Sequence, residues 1–105
     1  MRLVAYIHAF DDNNILRIRF ELDRGRVLSF VVQLECYFED NGWLPVLRYD
    51  TAHGIAHRDK IHPRKETEKT EIPVRNYEEG LNYAIDDLKV NWREYRRRYE
   101  EWIEN

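Results

Sequence analysis

A stretch of seventeen residues, LRYDTAHGIAHRDKIHP at positions 47–63, concentrates the side chains of this chain that can exchange protons or bind anions. It holds three of the four histidines, two arginines and two aspartates. Imidazole titrates near neutral pH and is the usual proton donor and acceptor in catalysis. Guanidinium groups match the geometry of phosphate oxygens. The stretch is therefore typical of a site that acts on phosphodiesters, or of a polar turn between two strands.

Metal-independent cleavage of RNA is the chemistry that these residue types favour. It needs a base for the 2′-hydroxyl, an acid for the leaving 5′-oxygen and a cation beside the phosphorane. We predict His53 and His57 as the acid and base, and Asp50 as the residue that orients a histidine. Arg48 and Arg58 are the predicted phosphate-binding residues. In a strand, Arg48 and Asp50 point to the same face.

Two other interpretations of the stretch stay open. His53 and His57 together with Asp50 or Asp59 could form a metal site of two histidines and one carboxylate. Alternatively, the charged residues form ordinary ion pairs across a hairpin. The candidate pairs are Asp50 with Arg58, and Arg48 with Asp59. The catalytic prediction assigns no metal and no cofactor.

Alternating apolar and polar residues predict the strands that position the stretch. The turn sequences DDNN, DRGR and EDNG separate the first four strands, which indicates an antiparallel meander. The predicted strands cover residues 2–10, 15–22, 27–38, 43–50, 55–61 and 65–74. Pro45 suggests a strand start, a bulge or an edge. The side chains expected to face inward from the third strand are Leu28, Phe30, Val32, Leu34, Cys36 and Phe38.

From residue 76 onward the apolar residues recur at steps of three and four, which predicts one amphipathic helix over 76–103. Asn76 and Glu79 have the spacing of a capping box. The fold class predicted for residues 1–105 is therefore α+β, in one domain. A curved antiparallel sheet of five to six strands, within residues 1–74, packs against one long C-terminal helix. Trp102 and Ile103 either cap this core or form an apolar end for a second subunit.

Length and composition limit the number of domains, the kinds of partner and the location of the protein. A chain of 105 residues is one domain. With 17 basic and 20 acidic side chains, the net charge of −3 does not select or exclude nucleic acid. Cys36 is the single cysteine, which excludes an internal disulfide. We expect no membrane segment and a cytoplasmic protein. The abundance of both charges and the few glycines are also common in thermophile proteins.

A resemblance to known families rests on Arg48, Tyr49, Asp50, Ala52, His53 and His57. The motif RYD-x-AHG-xx-HRD resembles that of a family of small archaeal and bacterial proteins described only as a domain of unknown function. More distantly it resembles TumE-type proteins of prokaryotic toxin–antitoxin modules, which carry Arg-Tyr-Asp-Asn-Ala followed by histidines. Thr51 stands here in place of the asparagine. The resemblance implies a toxin-like or toxin-derived small protein.

These observations give two predicted functions of different classes. The first is a toxin–antitoxin-related, metal-independent ribonuclease whose substrate is RNA. The second is a non-catalytic interaction module that binds a cognate toxin or antitoxin protein, or forms a homodimer through the C-terminal helix.

Overall fold

Six strands follow one another in a single antiparallel sheet of order β1-β2-β3-β4-β5-β6, and one helix packs on it. The structure is a computed structural model that describes residues 1–105. The strands are β1 (Arg2–Asp11), β2 (Asn14–Asp23), β3 (Arg26–Phe38), β4 (Gly42–Asp50), β5 (His57–Lys60) and β6 (Glu68–Glu71). A 3₁₀ turn, Ala52–Gly54, joins β4 to β5, and helix α1 spans Tyr77–Glu104. This is the predicted α+β fold. The helix is not long and apolar enough to cross a membrane.

The core lies between α1 and one face of the sheet. Ala84 and Leu88 of the helix are fully buried. The remaining fully or nearly fully buried side chains come mainly from β2, β3 and β4, and they include Leu16, Ile18, Phe30, Val32, Leu34, Leu47 and Tyr49. Aromatic rings join the two layers: Phe10 stacks on Trp92 at 4.8 Å, and Phe38 stacks on Tyr99 at 5.4 Å. Since a helix of 28 residues is about 42 Å long, it accounts for most of the 46 Å length of the molecule.

The start of the helix confirms the predicted cap. The Asn76 side chain accepts a hydrogen bond from the Glu79 backbone N–H at 2.8 Å. The Glu79 carboxylate accepts instead from Arg75 Nε at 2.8 Å, so only half of the capping box forms. Gly80 lies in the first turn because the helix approaches the sheet closely there. A Cβ atom at this position would lie 3.1 Å from the ring of Phe30.

Two bulges change which side chains the sheet buries. Between β2 and β3, Glu21 pairs with Ser29 but Leu22 pairs with Val27, so Leu28 is an extra residue. The inward position predicted for Leu28 is wrong, since this side chain is 43% exposed. A second register shift lies between Leu34 and Glu35 of β3, where Pro45 pairs with Glu35. The bulge suggested by Pro45 is therefore confirmed.

The two edges of the sheet differ in length and chemistry. Edge strand β6 has four residues, Glu-Lys-Thr-Glu, and all of them are exposed. The strand predicted over 65–74 is thus much shorter in the structure. Edge strand β1 has ten residues, and between Arg2 and Asp11 it carries no acidic residue, lysine, arginine or proline. Short, charged edges resist pairing with other chains, whereas long apolar edges invite it.

The apolar end of the helix packs inside the molecule. Trp102 and Ile103 pack against the core as partly buried side chains. The Trp102 ring stacks on His62 at 4.4 Å, and the Arg64 guanidinium donates a hydrogen bond to the carbonyl oxygen of Ile103. The interpretation that these residues cap the core is confirmed.

Leu88 and Val90 provide a matched test of the sheet–helix core. Leu88→Ala should lower the free energy of unfolding by about 2–5 kcal/mol, because it opens a cavity at a fully buried position. Val90 lies two residues away with 77% of its surface exposed, so Val90→Ala should change this free energy by no more than about 0.5 kcal/mol. Urea denaturation followed by circular dichroism measures both values. Equal losses in the two variants would contradict the packing described.

Candidate functional site

The hairpin of β4 and β5 sorts the predicted site residues onto two faces of the sheet. Its register opposes Arg48 to Asp59, Tyr49 to Arg58, and Asp50 to His57. Opposed residues of an antiparallel pair point to the same face, and successive residues alternate. Tyr49 contacts the helix through Asp87, so Arg58 also points to the helix side. The other four residues, Arg48, Asp50, His57 and Asp59, therefore lie on the face opposite the helix, the polar face.

His57 is held in one orientation by the backbone. The residue is only 8% exposed, and its Nδ1 lies 2.9 Å from the carbonyl oxygen of Ile55. A carbonyl can only accept, so Nδ1 carries the proton in this contact. The other nitrogen, Nε2, lies 2.9 Å from Asp50 Oδ1 and 3.4 Å from Asp59 Oδ1. Neither approach has the direction of a hydrogen bond, so Nε2 is buried without a hydrogen-bond partner.

The two carboxylates beside His57 have different surroundings. Asp50 Oδ1 also accepts the Ala52 backbone N–H at 3.0 Å, and Asp50 lines a cleft of ≈ 250 Å³ together with Arg19. Asp59 is 2% exposed. Lys69 Nζ lies 3.2 and 3.3 Å from its two carboxylate oxygens. Arg48 Nη1 is 3.9 Å from Asp59 Oδ2, which confirms the predicted Arg48–Asp59 pair, whereas the alternative pair of Asp50 with Arg58 does not form because the two residues point to opposite faces.

His53 lies outside this cluster and differs from it in being exposed. It belongs to the 3₁₀ turn, is exposed, and has a positive φ of 65°. Gly54 follows with a φ of 79°, which is the sharp turn that a glycine permits. The His53 side chain makes no hydrogen bond or ion pair. The structure thus brings Arg48, Asp50 and His57 together, and leaves exposed His53 and helix-facing Arg58 outside the cluster.

A hydrogen-bonded chain extends the cluster across the polar face. Arg48 Nε donates to Gln33 Oε1 at 2.7 Å, and Gln33 Nε2 donates to Glu35 Oε2 at 2.9 Å. Arg17 Nε completes the chain with a bond of 2.8 Å to Glu35. Sequence reasoning missed Gln33 and Lys69 as neighbours of the site. The sequence does indicate both residues, because each occupies an outward position of a strand next to the hairpin.

On the helix side, Arg58 lies beside a network centred on Asp87. The hydroxyls of Tyr49 and Tyr95 donate to Asp87 Oδ2 at 2.6 and 2.7 Å. Arg58 forms no ion pair there. Burial raises the pKa of Tyr95 to about 12, and the bond to the Asp87 carboxylate adds to the effect. Burial and Asp87 raise the pKa of Tyr49 as well. Tyr49 thereby links β4 to the helix, which is a structural role.

The Asp87 network should make stability depend on alkaline pH. Unfolded tyrosines ionise near pH 10, whereas folded Tyr95 and Tyr49 keep their protons to higher pH. The free energy of unfolding should therefore fall as pH rises from about 10 to 12. Tyr95→Phe should lower stability at pH 8 and make this fall shallower. Denaturant titrations at several pH values measure this fall, with exposed Tyr37→Phe as the control. An unchanged slope in Tyr95→Phe would contradict the assignment.

Comparison with known proteins identifies the family of the chain. A family model described as Domain of unknown function (DUF7718) matches residues 1–105, the whole chain. No curated protein matches the chain, and no solved structure does. Since the match covers all six strands and the helix, the chain belongs to the DUF7718 family.

Proposed function

We propose that the protein is a non-catalytic interaction module that forms a homodimer by pairing strand β1 with β1 of a second copy. The observation that carries this proposal is the contrast between the two edges of the sheet. Four of the ten exposed large hydrophobic side chains lie in the first seven residues: Met1, Leu3, Tyr6 and Ile7. The opposite edge, β6, is short and exposes only Glu, Lys and Thr side chains.

The geometry of strand addition fixes the symmetry of such a dimer. Directly opposed residues of antiparallel strands point to the same face. For two copies of β1 that pair antiparallel, the two-fold axis must therefore be perpendicular to the sheet. Both helices then lie on one side of a continuous sheet of twice six strands, and both polar faces lie on the other.

The composition of β1 suits this pairing. Near the axis the strand presents Tyr6 and Ile7, which are uncharged, so no like charges meet there. Leu3 and Ile7 point to the polar face, because they oppose Glu21 and Arg17 of β2. They are 54% and 53% exposed in one chain, and in a register centred on Ile7 the two copies of Ile7 would lie opposite each other and cover each other.

The C-terminal helix supports a dimer less well than β1. Its apolar end, Trp102 and Ile103, already packs against the core of the same chain. Within the proposal, the protein is cytoplasmic and related to toxin–antitoxin modules, as its resemblance to TumE-type proteins suggests. A dimer of this kind presents two identical polar faces to a cognate protein.

Ile7→Lys tests the dimer directly. The wild-type protein should sediment with twice the mass of one chain, whereas Ile7→Lys should sediment as a monomer, since lysines would meet near the axis. Val90→Lys is the matched control, because Val90 is 77% exposed on the helix, and it should stay dimeric. Sedimentation equilibrium over a range of concentrations measures all three. A monomeric wild type, or an Ile7→Lys variant that stays dimeric, would overturn the proposal.

The ribonuclease alternative has one observation in its favour, which is that Arg48, Asp50 and His57 share the polar face. If the protein cleaves RNA without a metal, cleavage should persist in EDTA and leave 2′,3′-cyclic phosphate and 5′-hydroxyl ends. The two arginines form a matched pair. Arg48→Ala should reduce this activity, and Arg58→Ala, on the helix side, should not. Full activity of a His53→Ala, His57→Ala double variant rules the mechanism out.

A further inference from the structure

Beyond the pairing of β1, we infer that Asp50, His57 and Asp59 form a binding site for one divalent transition-metal ion, with Zn²⁺ or Mn²⁺ as the fitting ions. The site, here called the metal cluster, lies on the polar face in the β4–β5 hairpin. All three residues are buried. The inference is independent of the dimer, since β1 lies at the far edge of the sheet.

The unsatisfied nitrogen of His57 is the first argument. Nδ1 of His57 donates to the Ile55 carbonyl, and Nε2 lies beside two carboxylate oxygens without a hydrogen bond to either. A cation bound between Nε2 and the two oxygens would give all three atoms a partner. The imidazole is about nine-tenths buried, with 10% of its side chain exposed, so bulk water does not satisfy this nitrogen. A backbone carbonyl on the other ring nitrogen is also the usual partner of a metal-binding histidine.

The spacing of the three ligand atoms is the second argument. First-row metal ions bind nitrogen and oxygen at about 2.0–2.2 Å, which places neighbouring ligands of one ion about 3 Å apart. Asp50 Oδ1 and Asp59 Oδ1 lie 2.9 and 3.4 Å from His57 Nε2. All three atoms lie within 4.8 Å of one another. Two carboxylates and one imidazole suit Zn²⁺ and Mn²⁺ better than soft, thiolate-preferring ions.

Of the three ligands, Asp50 lines a cleft. This cleft has a volume of ≈ 250 Å³ and is bounded by β2 and β3 as well as by the end of β4. Within the inference, water would complete the coordination of the ion from the Asp50 side. On the other side, Lys69 and Arg48 contact Asp59.

Lys69 is a competitor for the same carboxylate, and it gives the inference its sharpest test. Its side chain is 63% exposed on edge strand β6, so it can move away from Asp59 at little cost. If a metal ion binds Asp59, removing the lysine should strengthen metal binding. If the cluster is only a network of ion pairs, removing the lysine should change stability without creating or improving a metal site.

Calorimetric titration of the full-length, EDTA-treated and dialysed protein with ZnCl₂, and separately with MnCl₂, is the experiment. We expect one ion per chain in the wild type. Asp50→Asn should weaken binding by more than tenfold, a loss seen even when a group that only orients a metal ligand is removed. Lys69→Ala should tighten binding by about two- to fivefold, the range given by an exposed ion pair.

His53→Ala is the matched histidine control, since His53 is exposed and lies outside the cluster. This variant should bind like the wild type. No binding of either ion by the wild type, full binding by Asp50→Asn, or loss of binding in His53→Ala would each overturn the inference. Lys69→Ala keeps the test decisive if Asp50→Asn fails to fold. It changes an exposed residue, and its expected effect on metal affinity is opposite to that of Asp50→Asn.

Discussion

The register of β4 against β5 is the constraint on which the candidate site depends. Because Asp50 opposes His57 and Arg48 opposes Asp59, four polar side chains share the face away from the helix. Tyr49 and Arg58 take the face toward it. A slip of β5 by one residue would turn His57 and Asp59 toward the helix and bury their polar groups against its apolar face. The hydrogen bond from Tyr49 to Asp87 fixes the faces of β4, since it joins the residue between Arg48 and Asp50 to the helix.

Much of this fold could be predicted from the sequence, because its elements are long and strongly patterned. The strands before residue 50, the Asn76 cap and the single helix follow from local spacing alone. The position of Leu28 could not be predicted in the same way. Strict alternation along β3 turns Leu28 inward, but the register shift beside Leu22 adds one residue to this strand and leaves Leu28 exposed. A bulge depends on the pairing of two strands, which one strand's sequence does not specify.

The site was predicted in part for a related reason. That Arg48 and Asp50 share a face follows from strand geometry. Which residues of β5 oppose them depends on the length of the turn between the strands. The 3₁₀ turn at Ala52–Gly54 sets this length and leaves His53 exposed, so the two histidines of the motif differ in burial although they are four residues apart. The pairing of Asp59 with Lys69 also depends on a third strand, which lies ten residues further along the chain.

Burying the polar groups of the cluster costs free energy, so the cluster needs an explanation other than stability. Asp59 is 2% exposed on the face that the helix does not cover. Burial of a carboxylate and an imidazole is expensive, and buried ion pairs often stabilise a protein no more than apolar side chains of similar volume. Apolar residues at these positions of β5 would avoid that cost. Stability alone therefore does not account for the cluster. A cation that binds all three groups does account for it, since one ion would satisfy Nε2 of His57 and both carboxylates together. Edge strand β6 would then have two roles. Its charged side chains prevent pairing with other chains, and Lys69 lowers the affinity of the site for the ion by competing for Asp59.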